Sequence, residues 1–190
     1  MKVYTKDEFY SKKNILLKKI KGGSVFIYPT DTIYGIGCDA RNFESVKKIY
    51  ELKETRNMPF SVIAPSKKWI IENCDIDSLA ESWLKKLPGP YTIILRLKNK
   101  KCISKNVILN KSTLGIRIPK HWISEIVEEL GFSLVTTSAN KTGHPFITTI
   151  KNLDSDIKEK VDFIIYEGEK ENRPSTIIDL SKDNIRISER

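Results

Sequence analysis

Short apolar runs rich in β-branched and aromatic residues alternate with amphipathic segments along most of this chain. The amphipathic segments carry apolar residues every three or four positions, as helices with one buried face do. Alternation of this kind, without an internal repeat or a long linker, predicts a single α/β domain over residues 1–190 that is built on a mixed sheet. The expected strands are residues 24–28, 60–64, 91–97, 114–118, 134–137, 163–166 and 176–180.

Capping residues and glycines mark where the helices begin and end. Residues 5–8 form a capping-box pattern, so a helix is expected to begin there and to end at the glycine pair 22–23. Asn42 can cap a second helix, and Gly131 can end a later one. The buried face of the first helix is expected to consist of Phe9, Ile15, Leu16 and Ile20.

The chain is basic, with a formal net charge of +9 at pH 7. Such an excess favours anionic partners such as phosphates, nucleotides or RNA, although surface lysines also serve solubility alone. No apolar run approaches the roughly 20 residues of a membrane span, and the first residues lack an apolar signal segment, so we expect a cytoplasmic protein. Cys38, Cys74 and Cys102 have no metal-ligand spacing and are expected to be free, mostly buried thiols.

Three polar clusters adjoin predicted strands, at residues 30–32, 138–140 and 175–176. In open α/β sheets, ligands bind at strand ends, where loops present backbone and hydroxyl groups. Small hydroxyl side chains can hydrogen-bond a phosphate or a carboxylate without crowding it. The alternative is plain turn chemistry, because Ser, Thr, Asp and Asn favour turns in any case.

Three cations are candidates for anion binding. Arg117 alternates with Leu114, Ile116 and Ile118, so it faces away from them, and Gly115 should leave open space beside it. It could clamp a carboxylate through two parallel hydrogen bonds, or it could be an exposed charge on an edge strand. Lys53 and Arg56 end a predicted helix, where they either cap its last carbonyls or project onto a polyphosphate.

Several familiar catalytic systems are missing from the sequence. There is no phosphate-binding G-x-x-x-x-G-K-[ST] loop, and Gly35 and Gly37 are not followed by a third glycine at the dinucleotide-binding spacing. His121 and His144 have no partners at metal-ligand spacing and are not expected to be catalytic, and no Ser–His–Asp arrangement is evident. An enzyme built on this chain would work mainly by positioning and electrostatics.

Taken together, five segments resemble the YrdC family of threonylcarbamoyl-adenylate synthases, and the resemblance covers about residues 22–179. Each segment alone is weak, but the five occur in the family's order. They are YPTDTIYGIGCD at 28–39, PGPYT at 88–92, GIRIP at 115–119, TSAN at 137–140 and PSTII at 174–178.

The resemblance implies a twisted, open, mixed α/β sheet folded around a large basic groove. It also implies a nucleotidyltransferase that makes threonylcarbamoyl-AMP and pyrophosphate from ATP, L-threonine and bicarbonate, with Mg²⁺ held mainly by the triphosphate. A separate transferase would use the product to modify an adenosine in tRNA. The threonine-binding residues implied by the motifs are Thr30, Arg117, Ser175 and Thr176. The implied ATP-binding residues are Lys53, Arg56, Ser138, Asn140 and Arg186.

Two departures from the family pattern leave other functions open. The family's Lys-x-Arg-Pro motif is one residue longer here, from Lys53 to Arg56, and its proline is delayed to Pro59; Phe146 stands where relatives often place a small hydroxyl residue. A divergent enzyme that hydrolyses the adenylate is therefore one alternative. The other is an RNA-binding protein that contacts tRNA or double-stranded RNA, which the net charge favours, although basic and aromatic residues are not interleaved.

Overall fold

The predicted strands lie in one sheet. The structure, a computed structural model, describes residues 1–55, 57–170, 172–182 and 184–189. Within these residues the sheet has ten strands in the order β1-β8-β2-β3-β7-β4-β6-β5-β9-β10. The strands are β1 (Lys2–Tyr4), β2 (Phe26–Tyr28), β3 (Gly35–Gly37), β4 (Ser61–Ile63), β5 (Tyr91–Arg96), β6 (Thr113–Arg117), β7 (Leu134–Ser138), β8 (Phe163–Ile165), β9 (Thr176–Asp179) and β10 (Arg186–Ser188).

The sheet is mixed and open, as predicted. Strand β4 pairs parallel to β6 and antiparallel to β7, while β5 pairs antiparallel to β6 and parallel to β9. Among the described residues, no pairing joins β1 to β10, so the sheet does not close into a barrel. Strands β1, β3 and β10 were not predicted because none of them lies in a longer apolar run: β1 and β10 each begin with a charged residue, and β3 is Gly-Ile-Gly.

Helices cover both faces of the sheet. They are α1 (Lys6–Ser11), α2 (Lys13–Lys21), α3 (Phe43–Leu52), α4 (Lys67–Asn73), α5 (Ser78–Leu84), α6 (Lys105–Ile108), α7 (Ile123–Leu130) and α8 (Ser155–Lys160). Apolar residues of α1, α2 and α7 pack on one face, where Phe26 and Tyr28 of β2 lie. Residues of α3, α4, α5 and α8 pack on the other face, which Ile27 of β2 joins. Alternation along β2 thus divides the core into two layers.

The predicted capping residues are confirmed, but the first helix is interrupted. The Thr5 and Glu8 side chains form the reciprocal capping box, Asn42 accepts a hydrogen bond from the Ser45 N–H, and Gly131 ends α7 at a φ of 76°. The prediction of one helix to the glycine pair was wrong, because the chain leaves helical geometry at Lys12.

The break at Lys12 changes which side chains face the core. It turns α2 so that Leu16, Leu17 and Ile20 are buried, whereas Ile15, expected on the apolar face, is 61% exposed.

The helices that the structure describes are all too short or too polar to span a membrane. Cys38 and Cys74 are buried free thiols, as expected, and Cys102 is partly buried.

Gly37 allows β3 to lie against β7. A Cβ atom at this position would stand 2.0 Å from the Val135 carbonyl oxygen and 3.0 Å from the Tyr28 ring. The Tyr28 ring is fully buried, and its hydroxyl donates to the same Val135 carbonyl at 3.2 Å. Only glycine fits between these groups, so the second glycine of the sequence Gly-Ile-Gly fixes the sheet rather than binding a phosphate.

Candidate functional site

A cavity of about 360 Å³ opens over the central strands of the sheet. Its wall is rich in small hydroxyl side chains, which are Thr30, Thr55, Ser61, Thr92, Thr136, Thr137, Ser138, Thr142 and Ser175. Among the described wall residues, Lys53 and Arg117 carry formal charges and none is Asp or Glu. A cationic, hydroxyl-lined hollow of this composition suits anionic ligands.

Arg117 is buried at the end of an interior strand. It is 6% exposed, and β6 lies between β4 and β5, so the alternative of an exposed charge on an edge strand is wrong. Its Nη2 donates to Asp31 Oδ1 at 2.6 Å, and Nη1 lies 3.3 Å from Thr32 Oγ1. Asp31 also accepts the Lys120 N–H at 2.8 Å. These contacts hold the guanidinium in one orientation at the cavity wall.

The turn after β2 presents Thr30 to the cavity. Its hydroxyl donates to the Ile33 carbonyl at 2.7 Å and accepts the Thr32 N–H at 3.1 Å. The Asp31 carbonyl in turn accepts from Asn172 Nδ2 at 2.9 Å, which ties the turn to the segment before β9. The cluster at 30–32 therefore forms a tight turn, and Thr30 lines the cavity, while binding of a ligand by this cluster stays a prediction.

Lys53, directly after α3, is a buried cation facing the loop after β7. Its Nζ donates to the carbonyls of Ser138 at 2.7 Å and Asn140 at 2.5 Å, rather than to the last carbonyls of its own helix. The side chain is 5% exposed, and burial lowers its pKa to about 8. A buried ammonium of this kind is stabilised further by an incoming anion.

Asn140 organises the loop that follows β7. Its Nδ2 donates to the carbonyls of Lys141 at 2.9 Å and His144 at 2.6 Å. Its Oδ1 is buried and makes no hydrogen bond to any residue that the structure describes. A buried acceptor without a partner is costly, so this oxygen is suited to a donor group on a ligand.

Lys141 attaches the same loop to its neighbours. Its ammonium lies 2.7 Å from Glu54, 2.8 Å from Asp156 and 3.5 Å from Asp154. Glu54 directly follows Lys53, and the two aspartates lie at the start of α8. One cation thus connects three segments of chain around the wall that Lys53 and Asn140 share.

Polar residues of β5 and of the segment just before β9 form the floor near Arg117. Thr92 Oγ1 and Ser175 Oγ lie 2.8 Å apart, both buried. Gly115 was expected to leave open space beside Arg117, but that expectation is wrong, because a Cβ there would stand 2.4 Å from Ser61 Oγ. The missing side chain of Gly115 makes room for the Ser61 hydroxyl instead.

Apolar side chains form part of the cavity wall. Phe60 stacks on Tyr50 with ring centroids 4.2 Å apart. Met58 and Phe146 also line the cavity and remain 60% and 39% exposed. Phe146 is therefore a wall residue of the cavity rather than part of the core.

The structure brings together six of the nine predicted binding residues. Thr30, Arg117 and Ser175 line the cavity together with Lys53, Ser138 and Asn140. Thr176 and Arg186 are not among the wall residues that the structure describes. Thr176 begins β9, where its N–H donates to the Pro90 carbonyl, and Arg186 is exposed on β10. Arg56 lies outside the described residues.

Several wall residues were not predicted, among them Ser61 and Thr92. Ser61 is the polar residue in an otherwise apolar predicted strand, and that was its signal. Thr92 stands inside one of the five family-like segments. His144 lines the cavity, whereas His121 Nε2 lies 2.7 Å from Glu167 Oε1, outside the described wall.

Metal-binding side chains are not grouped in the part of the chain that the structure describes. Among the residues described by the structure, no cluster of three His, Cys, Asp or Glu side chains is placed to hold a metal ion. The donor set of the cavity, hydroxyls and two cations, does not fit a protein-bound Mg²⁺ either, since that ion prefers carboxylate oxygens and water.

Known proteins resemble this chain over most of its length. The Sua5/YciO/YrdC family model, described by the words telomere recombination, matches residues 18–190. A Methanocaldococcus jannaschii protein that carries the provisional name threonylcarbamoyl-AMP synthase is 39% identical over 97% of this chain and 89% of its own. The Vibrio campbellii threonylcarbamoyl-AMP synthase is 29% identical over 90% of this chain and 95% of its own.

Two solved structures share the fold. The P. abyssi Sua5 complex with L-threonine superimposes with a TM-score of 0.87 at 27% identity over 98% of this chain. This chain spans 56% of that Sua5 chain. E. coli YciO superimposes with a TM-score of 0.87 at 23% identity over 100% of this chain and 96% of its own, a likeness of fold alone.

Proposed function

The chain belongs to the Sua5/YciO/YrdC family, and from that premise we propose that it is a threonylcarbamoyl-AMP synthase. It converts ATP, L-threonine and bicarbonate into threonylcarbamoyl-AMP and pyrophosphate, which makes it a nucleotidyltransferase among the transferases. The names of two relatives and the threonine bound to a third support this assignment.

One observation carries the proposal. The buried guanidinium of Arg117 and the buried ammonium of Lys53 face the same hydroxyl-lined cavity, whose described wall bears no carboxylate. A site with two separate cations suits a reaction that brings two anions, a carboxylate and a polyphosphate, into contact.

Threonine is assigned to the side of the cavity formed by Arg117, Thr30 and Ser175. Arg117 fixes the amino-acid carboxylate with N–H groups that Asp31 and Thr32 orient. The hydroxyl of Thr30 donates its hydrogen to the Ile33 carbonyl, so Thr30 shapes the turn that holds Asp31 and Thr32 against Arg117.

ATP is assigned to the side formed by Lys53, Ser138 and Asn140. Lys53 supplies positive charge to the phosphates, and Asn140 Oδ1 offers an acceptor to an amino or hydroxyl group of the nucleoside. Arg56 is proposed to add a second cation here. The described wall does not fit a metal ion, so Mg²⁺ would enter with ATP, held mainly by the triphosphate.

The proposed reaction has two successive steps, and both would take place in the cavity. The threonine nitrogen bonds to the carbon of bicarbonate, and water leaves, giving the carbamate. A carbamate oxygen then attacks the α-phosphorus of ATP, and the bond to the bridging oxygen breaks so that pyrophosphate departs with its electron pair. Carbamates decompose in water, so the walls must exclude solvent while they align the two anions.

The product is a mixed anhydride that would be consumed by a separate threonylcarbamoyl transferase acting on an adenosine in tRNA. The basic surface of the chain is consistent with a direct contact to RNA during that transfer. If this chain contacts RNA directly, its affinity for RNA should fall steeply as the salt concentration rises. If the product instead passes from this chain to the transferase, no such RNA affinity is expected.

The test is pyrophosphate release with single omissions. We expect release from ATP only when both threonine and bicarbonate are present. An RNA-binding protein without catalysis would release none in any mixture. An enzyme that hydrolyses the adenylate would consume added threonylcarbamoyl-AMP and release no pyrophosphate, and either result would refute the proposed synthesis.

A further inference from the structure

On the part of the cavity floor formed by β7, β4 and β6, the strand order separates the two halves, while Thr30 reaches the threonine side through its turn, which contacts Arg117. Ser138, at the end of β7, lies on the nucleotide side. Arg117, on β6, and Ser175, beside β9, lie on the threonine side. Strand β4 runs between β7 and β6 and pairs with both. The middle of the cavity floor is therefore formed by β4.

Ser61 is the residue of β4 that lines the cavity. It stands in register with Thr136 of β7 on one side and with Gly115 of β6 on the other. Its hydroxyl leans toward Gly115, since a Cβ added there would lie 2.4 Å from Ser61 Oγ. Two residues further along the same face of β6 stands Arg117.

The Ser61 hydroxyl has hydrogen-bonding capacity to spare. Neither its hydrogen nor its oxygen is bonded to another of the residues that the structure describes, and Ser61 is part of the cavity wall. The hydroxyls of Thr92 and Ser175, by contrast, are paired with each other. An uncommitted donor at the junction of the two halves is suited to the part of the ligand that joins them.

We propose that Ser61 binds the one-carbon group, donating a hydrogen bond to an oxygen of bicarbonate and then of the carbamate. The inference rests on the proposed function, because only that reaction places a carbamate between the amino acid and the α-phosphate. This role differs from those of Arg117 and Lys53, whose charges bind the threonine carboxylate and the ATP phosphates. Ser61 is thus a substrate-binding residue for the joining group.

The first test replaces Ser61 with alanine. Loss of one hydrogen bond to an anion should raise the KM for bicarbonate about tenfold. The dissociation constants for ATP alone and threonine alone, measured by calorimetry, should stay at the wild-type values. Ser61→Cys fills nearly the same space with a weak donor and should behave like Ser61→Ala, which excludes a packing effect. Ser82→Ala, on the exposed face of α5, is the matched control and should change nothing.

Gly115→Ala tests the same hydroxyl from the neighbouring strand. The added methyl carbon would lie 2.4 Å from the present position of Ser61 Oγ, so this hydroxyl must move away. The KM for bicarbonate should therefore rise as it does in Ser61→Ala. In the double variant the two effects should not add, because both remove one contact. An unchanged KM for bicarbonate in Ser61→Ala and Ser61→Cys would overturn this inference while wild-type synthesis stands. Wild-type enzyme that needs no bicarbonate would overturn the proposed function as well.

Discussion

Replacing Arg117 with lysine separates two tasks of the guanidinium. In the structure it pairs with Asp31 at 2.6 Å, lies near Thr32 and still faces the cavity. Arginine has five N–H donors in a rigid fork, whereas lysine has three on a single nitrogen. Lysine can keep the ion pair with Asp31, but it cannot also present two parallel N–H groups to a carboxylate.

The magnitudes favour lysine over alanine for this test. Removing one partner of a buried ion pair costs about 3–5 kcal/mol, so Arg117→Ala would lower the Tm of a domain of this size by about 6–20 °C. Lysine keeps the positive charge, so Arg117→Lys should lower the free energy of unfolding by only about 1–1.5 kcal/mol. The Tm would then fall by about 2–6 °C. Losing one of two charged hydrogen bonds to threonine costs about 1.5 kcal/mol or more, which raises the KM for threonine at least about tenfold.

The assay is pyrophosphate release with threonine varied at saturating ATP and bicarbonate, and then with ATP varied. We expect the KM for threonine to rise and the KM for ATP to stay constant. Arg96→Lys, at the exposed end of β5, is the matched control. A KM for threonine that stays at the wild-type value in Arg117→Lys would refute the assignment of the carboxylate to Arg117.

Three further predictions concern the rest of the cavity. The ATP affinity, measured without threonine, should fall as the pH rises through about 8, because Lys53 carries its charge only below its lowered pKa; a flat profile, or the same decline in Lys53→Met, would contradict this. Gly37→Ala should lower the free energy of unfolding by about 3 kcal/mol or more, and the Tm by about 6–12 °C, because its methyl group would meet the Val135 carbonyl. An unaltered Tm would show that β3 moves freely. Lys141→Met should raise the KM for ATP severalfold and leave that for threonine constant, since it frees the loop of Asn140; Lys13→Met, which breaks a surface ion pair with Glu129, is the control.

Patterning over four or more residues predicted most of the fold. Strands β5 to β7 and helix α7 were predicted because their apolar residues repeat with a clear period. The short strand β3 was not, because Gly35 and Gly37 have no side chains to show a pattern. Its place in the sheet depends on the space that Gly37 leaves beside Val135, a contact between strands far apart in sequence.

The charged residues of the site could be selected from the sequence, whereas the residues of the cavity floor were harder to predict. Arg117 could be selected from strand alternation, yet its pairing with Asp31 joins positions 86 residues apart. Lys53 was placed at a helix end, but its bonds to the carbonyls of Ser138 and Asn140 depend on tertiary structure. The polarity of Ser61 within an apolar strand is visible in the sequence, but its position between the two halves of the cavity depends on the strand order.

The central claim is that one cavity seats threonine carbamate against the α-phosphate of ATP. The most direct measurement is mass spectrometry of the nucleotides formed from ATP, threonine and isotopically labelled bicarbonate. The account predicts a single adenylate that contains threonine and the labelled carbon, formed in equal amount with pyrophosphate. AMP without threonine, or ADP with phosphate, would contradict it.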